Sequence, residues 1–178
     1  VKHNKTEQIK PFCSVFVIFA VLELITMNYE QLKLENQLCF PFYAVSRLII
    51  RAYQEDLDVL GITYPQYLVM MVLWENNEQT VNEIAEKLIL NTNTVTPLLK
   101  RMEGMQLITR TPSKTDQRKV LVALTDSGRA MREQAAEIPF KLMNRLSNDI
   151  SPAQMEEASM LKNKLYELIH LLEKAEKQ

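Results

Sequence analysis

Residues 80–124 read TVNEIAEKLILNTNTVTPLLKRMEGMQLITRTPSKTDQRKVLVAL, and the pattern of this stretch predicts the fold class. Two helices are predicted in its first half. Thr80 and Glu83 form a capping box, in which each side chain satisfies a free backbone amide at the start of a short helix. The side chains of residues 91–94, Asn-Thr-Asn-Thr, offer several cap oxygens for a further helix, which is expected to run to about Met105. Two helices joined by so short a turn are typical of a helix-turn-helix unit.

The sequence changes in character after the second helix. Segments 107–110 and 119–124 predict two short strands, and the polar stretch 111–118 between them predicts a hairpin loop. Helix, turn, helix and hairpin in this order predict a winged helix-turn-helix with a two-stranded wing. In such a fold the second helix enters the major groove of DNA.

Two further helices are predicted before this unit. Apolar residues recur at helical spacing from Leu34 to Leu57, and Gly61 ends that segment. Thr63 and Gln66 form another capping box, which opens the next helix.

The segment after the hairpin is also predicted to be helical. Thr125 caps a helix that Pro139 should kink or break. A third capping box at residues 151–154 opens the last helix. A leucine stripe follows at spacings of four, three and four residues: Leu161, Leu165, Leu168 and Leu172. This stripe is able to seal a helix–helix seam, either within one chain or between the two chains of a dimer.

The composition supports a mainly α-helical fold class. The 178 residues include 3 Gly, whereas a typical share of about 7% corresponds to about 12. A β-sandwich is excluded because it needs turn residues at close intervals. A hydrophobic share of 47% and a net charge of −1 exclude disorder of the whole chain. Two Cys and two His are too few for a structural zinc site or a disulfide scaffold, so no metal and no cofactor is expected.

Residues 1–26 differ from the rest of the chain. A polar, lysine-containing start is followed by an apolar run at residues 12–22. The run is too short for a membrane span, and no cleavage site of the signal-peptide type follows it. Well-patterned sequence begins at Met27, so we interpret residues 1–26 as an upstream extension that is not native. A packed extra helix and a membrane anchor are the alternatives, and we expect a cytoplasmic protein without a membrane partner.

Positive charge is concentrated between residues 92 and 119. This segment holds six basic and two acidic residues, and thus +4 in a chain of net −1. The pattern predicts contacts to double-stranded DNA, although a charge cluster is often only a solvated surface. The residues predicted to lie in the major groove are Thr92, Asn93, Thr94, Thr96, Lys100 and Arg101. Those predicted to act from the wing are Arg110, Asp116, Arg118 and Lys119.

Four stretches carry a family resemblance. They are LENQLCF at 34–40 with Tyr43, LGITYPQYL at 60–68, TVTPLLKRME at 94–103, and DQR at 116–118. On these residues the region 30–175 resembles the multiple-antibiotic-resistance regulator (MarR) family of dimeric bacterial winged-helix repressors. Within that family it is most similar to the organic hydroperoxide resistance regulators and their staphylococcal global-regulator relatives.

The resemblance implies a homodimer on a palindromic operator. Residues 27–60 and 126–178 would form the helical dimerisation region around a DNA-binding domain at 61–125. Arg118 would insert in the minor groove, with Asp116 holding the wing. Relatives often have Asp-Ser-Gly where this chain has Asn-Thr-Asn at 91–93, so the operator sequence is not carried over.

Cys39 is the candidate sensor of a signal. A lone cysteine on an apolar helix face is most simply a small buried hydrophobe. Its thiolate is also the reactive form towards peroxides, and phenolic O–H groups donate well to a thiolate. Tyr43, Tyr53 and Tyr64 are available for this role. Spacing alone does not bring Tyr53 and Tyr64 to Cys39, and the resemblance implies that they approach it across the dimer interface.

Oxidation of Cys39 by an organic hydroperoxide would give a sulfenic acid. No cysteine follows Cys39, so the resemblance implies a one-cysteine sensor completed by a low-molecular-weight thiol or by overoxidation; a bridge to Cys13 is the disfavoured alternative. We therefore predict a transcriptional repressor that releases DNA on oxidation, with no catalytic residues. The alternatives are a regulator that responds to a small aromatic ligand with Cys39 structural, a thiol peroxidase without a visible recycling cysteine, and a helical adaptor that leaves the +4 segment unexplained.

Overall fold

A computed structural model describes residues 29–147 and 151–176, so the interpretation of residues 1–26 lies outside the described residues. The elements in chain order are α1 (Cys39–Leu60), α2 (Tyr64–Glu75), β1 (Glu78–Thr80), α3 (Val81–Lys87), α4 (Thr92–Gly104), β2 (Ile108–Pro112), β3 (Val120–Leu124), α5 (Asp126–Ala136), α6 (Ile138–Ser147) and α7 (Pro152–Glu176). The chain is therefore mainly α-helical and contains the winged helix-turn-helix that the sequence predicts. It divides into two units, residues 1–46 and residues 47–178.

The segment before α1 differs from its prediction. Two 3-10 turns, Glu30–Leu32 and Leu34–Asn36, precede α1, and the expectation of a helix starting at Leu34 was wrong. The Asn36 side-chain amide donates to the Glu30 carbonyl at 2.8 Å. Such side-chain hydrogen bonds offer the backbone an alternative to an α-helix, and the regular helix begins only at Cys39.

The capping boxes lie where the sequence places them. The Gln66 Oε1 accepts the Thr63 backbone N–H at 2.8 Å at the start of α2. The Thr80 N–H donates to the Glu83 carboxylate at 2.6 Å, and the Thr80 Oγ1 accepts the Glu83 N–H at 3.2 Å at the start of α3. The Ser151 N–H donates to the side-chain Oε1 of Gln154 at 2.7 Å at the start of α7. Each box satisfies amides that a helix leaves without an internal partner.

Three helices end in the same left-handed turn. Gly61 after α1, Ile89 after α3 and Gln106 after α4 have φ of 68°, 55° and 59°. In each turn this residue donates its N–H to the carbonyl three residues earlier, and the next residue bonds five residues back, which is the Schellman motif. Glycine suits this backbone, whereas a β-branched residue such as Ile89 is strained in it. The turn of the helix-turn-helix therefore stores strain.

The sheet has three antiparallel strands in the order β1-β3-β2. The β2–β3 hairpin pairs Ile108 with Leu124 and Pro112 with Val120, close to the predicted strands. Strand β1 was not predicted, since three residues carry too little alternation to be recognised. Its Thr80 pairs with Leu121 and is also the N-cap of α3.

A single apolar cluster supports the second unit. Its fully buried side chains come from α1, α2, α3, α4, α6 and the strands, including Leu57, Leu73, Leu99, Met102 and Ile138. The buried face of α4 consists of Val95, Leu99 and Met102, whereas Thr92, Asn93, Thr94, Lys100 and Arg101 are exposed. This packing holds the second helix of the helix-turn-helix with its polar side outward.

The helical region after the sheet is divided where proline predicts it. α5 ends at Ala136 and α6 begins at Ile138, one residue before Pro139. The Arg145 guanidinium donates to the Asp56 carboxylate at 2.5 Å and so ties α6 to α1. Leu161 and Leu172 of the leucine stripe on α7 are more than half exposed.

Within the described residues no single helix is long and apolar enough to cross a membrane. Only the pair α1 and α2, which is bent by 73°, is long and apolar enough when the two helices are taken together.

Candidate DNA interface and cysteine site

The N-terminal turn of α4 presents small polar side chains to solvent. Thr92, Asn93 and Thr94 are exposed there, and Lys100 and Arg101 follow them on the exposed surface two turns later. Hydroxyl, amide and cationic groups on one helix are the donor and acceptor types that reach base edges and phosphates.

Thr96 differs from these neighbours because its hydroxyl is engaged. It is partly buried, and its Oγ1 donates to the Thr92 carbonyl at 2.7 Å. Only the lone pairs of that oxygen remain for an outside group. The side chain thus offers an acceptor rather than a donor at this position.

Arg118 is a long, exposed cation in the wing loop. The Arg118 side chain is 95% exposed. The Asp116 carboxylate accepts the Arg118 backbone N–H at 3.1 Å and lies 3.5 Å from the Arg118 Nε. The Lys119 N–H donates to the Asp116 carbonyl at 2.9 Å, which closes the loop. Asp116 therefore contacts the backbone N–H and the Nε of Arg118 as well as the backbone N–H of Lys119, all within the wing.

Ser113 is a wing residue that sequence reasoning missed. It is buried, and its Oγ accepts the backbone N–H groups of Thr115 and Asp116 at 3.3 and 3.4 Å. Its own N–H donates to the Lys119 carbonyl at 2.9 Å. A serine that follows Pro112 at the start of a polar loop is a signal for such a turn, and the prediction did not use it.

Arg110 lies against α4 rather than in open solvent. Its Nε donates to the Glu103 carboxylate at 3.1 Å, and the side chain is 20% exposed. The pair joins β2 to α4. One of the six cations of the segment is therefore engaged by one of its two acids.

Cys39 is the first residue of α1 and is exposed, as is Tyr43 one turn later. The interpretation of Cys39 as a buried core residue therefore does not hold in this chain. Cys13 lies outside the described residues. Among residues 29–147 and 151–176 no group of three or more His, Cys, Asp or Glu side chains is arranged to hold a metal ion.

Tyr53 and Tyr64 lie together in a tyrosine cluster that also contains Tyr67. Ring centroids are 5.3 Å apart for Tyr53 and Tyr64, 5.9 Å for Tyr53 and Tyr67, and 6.4 Å for Tyr64 and Tyr67. Burial raises the pKa of all three phenols above 10.0, and mutual repulsion of the ionised forms adds to this for Tyr53 and Tyr67. The phenols therefore remain hydrogen-bond donors at neutral pH. Tyr67 was not predicted, although its spacing of three residues from Tyr64 on one helix is the signal.

A winged helix-turn-helix with a polar reading helix, an exposed wing arginine and a local charge of +4 defines a class of DNA-binding protein. Comparison with known proteins agrees, since residues 51–134 match the family described as Transcriptional regulator SarA/Rot. The chain is 43% identical over 145 residues to the organic hydroperoxide resistance transcriptional regulator of Bacillus subtilis (strain 168), which covers 82% of this chain and 95% of that protein.

Solved structures give the same result. Reduced AbfR bound to DNA matches with a TM-score of 0.65 and 38% identity over 82% of this chain and 99% of that chain. AbfR is a protein of Staphylococcus epidermidis, and it has also been solved in an overoxidised form on DNA and in a disulfide form. Apo MarR from E. coli matches with a TM-score of 0.62 and 25% identity over 72% and 96% of the two chains.

The protein is therefore a DNA-binding transcriptional regulator and not an enzyme. It belongs to the MarR family and, within it, is similar to the regulators of organic hydroperoxide resistance.

Proposed function

We propose that this protein is a cytoplasmic repressor that senses organic hydroperoxides through Cys39 and releases its operator on oxidation. The observation that carries the proposal is an exposed Cys39 at the start of α1, in a chain 43% identical to an organic hydroperoxide resistance regulator. Backbone N–H groups in the first turn of a helix lack internal partners. They offer hydrogen-bond donors to a thiolate at that position.

The chemistry requires one hydroperoxide and one thiol. The Cys39 thiolate attacks an oxygen of the O–O bond, which breaks; the alkoxide leaves and takes up a proton to become an alcohol. Sulfur retains the hydroxyl group as a sulfenic acid. A low-molecular-weight thiol then forms a mixed disulfide with that sulfur, and the hydroxyl leaves as water. Because overoxidised AbfR has been solved on DNA, we expect the mixed disulfide to be the form that releases DNA.

Tyrosine phenols orient the sensor in this proposal. Tyr43 lies one helical turn from Cys39 on α1, and Tyr53 and Tyr64 are neutral donors within an apolar cluster. The phenolic O–H donates to the thiolate, while the aromatic ring keeps the surroundings apolar enough for the organic tail of a hydroperoxide. Tyr53 and Tyr64 would meet the Cys39 of a second chain.

DNA binding is proposed to require a homodimer. Leu161, Leu172 and Ile49 are large apolar side chains left 42% to 58% exposed in the single chain. Exposed apolar faces of this kind mark interaction surfaces. Two copies would place two α4 helices in successive major grooves of a palindromic operator.

The side chains proposed to contact that operator fall into two groups. Those in the major groove are Thr92, Asn93, Thr94, Thr96, Lys100 and Arg101. Arg118 would enter the minor groove with Asp116 holding the wing, and Lys119 would contact phosphate. Arg110 would contribute to the interface mainly by fixing α4 against β2 through Glu103.

A gel shift on the protein's own promoter tests the proposal. Wild type, Cys39→Ser and Cys13→Ser are compared with and without cumene hydroperoxide, in the presence of free cysteine as the small thiol. Release of wild type and Cys13→Ser but not of Cys39→Ser is the expected result, together with an adduct mass on Cys39.

Four outcomes overturn the proposal. If all three proteins stay bound, or if Cys39→Ser is released equally, Cys39 is structural and a small aromatic ligand becomes the candidate signal. A Cys13–Cys39 disulfide would replace the one-cysteine scheme. Multiple-turnover consumption of cumene hydroperoxide with a thiol donor would instead indicate a thiol peroxidase.

A further inference from the structure

Gln66 and Met105 form a direct contact between α2 and the end of α4. The side-chain amide Nε2 of Gln66 donates a hydrogen bond to the Met105 Sδ at 3.4 Å. Gln66 is 6% exposed, whereas Met105 is 40% exposed. The sulfur of a solvent-accessible methionine therefore serves as the acceptor for a buried amide.

The amide group of Gln66 is held firmly from its other side. Its Oε1 accepts the Thr63 backbone N–H at 2.8 Å and the Thr63 hydroxyl at 3.2 Å, as part of the cap of α2. Because the amide is planar, two bonds to Oε1 also fix the direction of Nε2. Any change at the sulfur must consequently be accommodated by Met105 rather than by Gln66.

Met105 is placed where such a change affects the DNA-reading helix. It is the C-cap of α4, and its N–H donates to the Arg101 carbonyl at 3.0 Å. The following residue, Gln106, is already in a left-handed conformation. The turn between α4 and β2 is thus tightly constrained, and a displaced Met105 moves the end of α4.

We propose that Met105 is a second oxidation site, at which a peroxide converts the thioether to a sulfoxide and weakens DNA binding without any cysteine. One oxygen atom passes from the peroxide to sulfur as the O–O bond breaks. After this transfer the remainder of hydrogen peroxide is water, and the remainder of an organic hydroperoxide is its alcohol. The sulfur is oxidised by two electrons and the peroxide is reduced by two, so no other reactant is needed.

The sulfoxide differs from the thioether in the atom that accepts the hydrogen bond from Gln66. Thioether sulfur is a weak acceptor, and its bond to Nε2 spans 3.4 Å. The sulfoxide oxygen is polar and requires the shorter distance of an N–H···O bond. Since the two bonds to Thr63 hold the Gln66 amide in place, we expect the side chain of Met105 to withdraw and rotate to bring that oxygen to Nε2. The end of α4 then leaves the position that fits the groove.

The experiment uses the cysteine-free protein Cys13→Ser/Cys39→Ser, so that its outcome is independent of the proposed Cys39 chemistry. Hydrogen peroxide is the probe, peptide mass spectrometry gives the sulfoxide content of each methionine, and a promoter fragment reports the Kd. Met105→Leu and Met71→Leu are added to this background. Met71 is the matched control because it is 41% exposed and lies in α2.

The expected result is a rise in Kd of about twofold to tenfold on oxidation, the range that corresponds to one net hydrogen bond. Methionine sulfoxide reductases should restore the original Kd. The Met71→Leu variant should respond as its parent does. The Met105→Leu variant should start with a higher Kd, because Gln66 has lost its acceptor, and should not change further on oxidation.

Three results would overturn the proposal. One is an unchanged Kd when Met105 is fully oxidised. Another is an equal rise in Kd for the Met105→Leu variant. The third is a Met105 that remains a thioether while Met71 is oxidised. Reversal by the reductases is read on protein that has methionine at position 105, so the test does not depend on how well Met105→Leu folds.

Discussion

The indole Nε1–H of Trp74 donates a hydrogen bond of 2.9 Å to the backbone carbonyl of Gly128. The N–H of Gly128 donates in turn to the Thr125 Oγ1 at 3.0 Å. A Cβ built on Gly128 would lie 2.1 Å from the carbonyl oxygen of Leu107. The start of α5 therefore packs closely against the turn before β2, and this approach is possible because Gly128 has no side chain.

Gly128→Ala should lower the free energy of unfolding by about 3 kcal/mol, because backbone atoms must shift to admit the methyl group. Gly104→Ala is the control, since its Cβ would meet nothing within 4 Å. Alanine at that helical position should raise stability by up to about 1 kcal/mol. Urea unfolding of both variants measures the difference, and equal stabilities would contradict the close approach at Gly128.

Ile89→Gly should raise the free energy of unfolding by about 1 kcal/mol. Glycine removes the strain of a β-branched residue at φ 55°, which exceeds the entropy that glycine adds to the unfolded chain. The Ile89 side chain is 56% exposed, so little apolar burial is lost. Gly61 lies in the same kind of turn at φ 68°, and Gly61→Ala should lower the free energy of unfolding by a similar amount. Thermal unfolding of the pair gives both values, and a less stable Ile89→Gly would refute the strain.

Arg118→Ala should weaken operator binding about tenfold and reduce the slope of log K against log salt by about 1, because one cation no longer displaces counterions. Fluorescence anisotropy at several salt concentrations gives both quantities. Lys162→Ala removes an exposed cation of α7 and should leave the slope unchanged. Equal effects of the two substitutions would mean that Arg118 acts only through overall charge.

Ser113→Ala should loosen the wing without removing a charge. The backbone amides of Thr115 and Asp116 lose their acceptor, with an expected destabilisation of about 1 kcal/mol. Hydrogen exchange of these two amides should accelerate, and the affinity for the operator should decrease. Ser127→Ala changes an exposed serine at the start of α5 and is the control. Unaltered exchange in Ser113→Ala would show that the loop is held by other contacts.

The tyrosine cluster should make the protein less stable at alkaline pH. The folded-state pKa values of Tyr53, Tyr64 and Tyr67 lie above the unfolded value of 10.0. The contribution of these phenols to the free energy of unfolding is therefore complete below pH 10.0. It is lost as pH rises from there through the folded pKa values, because the phenols of the unfolded chain ionise first. Urea unfolding from about pH 9 to about pH 11 should show this decline. A Tyr64→Phe variant, with one titrating phenol fewer, should decline less steeply; an identical slope would contradict the raised pKa.

Local chemistry accounts for the parts of the fold that the sequence predicts well. Capping boxes at Thr63, Thr80 and Ser151 mark helix starts because the two interacting residues are only three positions apart. Pro139 likewise separates α5 from α6 for a reason contained in one residue.

The features that escaped prediction depend on partners distant in sequence. Strand β1 exists because residues 78–80 pair with residues 121–123. Arg110 was predicted to act on DNA from the wing, and the fold places the Glu103 carboxylate beside it. Tyr67 and Ser113 were missed although local signals were present, because their roles depend on neighbours that the fold brings to them.

Thr80 ends β1 and also caps α3, so one residue serves two pairings of fixed spacing, with Leu121 across the sheet and with Glu83 along the helix. In evolutionary terms this junction does not tolerate a change of length, since an inserted or deleted codon would break the strand register and the helix start together. The hydrogen bonds of Ser113 and Asp116 stay within the wing loop, so a change of length there leaves the strand register and the cap of α3 intact. Lineages that acquire new DNA targets are therefore expected to vary in the length of the wing while preserving the spacing between strand and helix at Thr80.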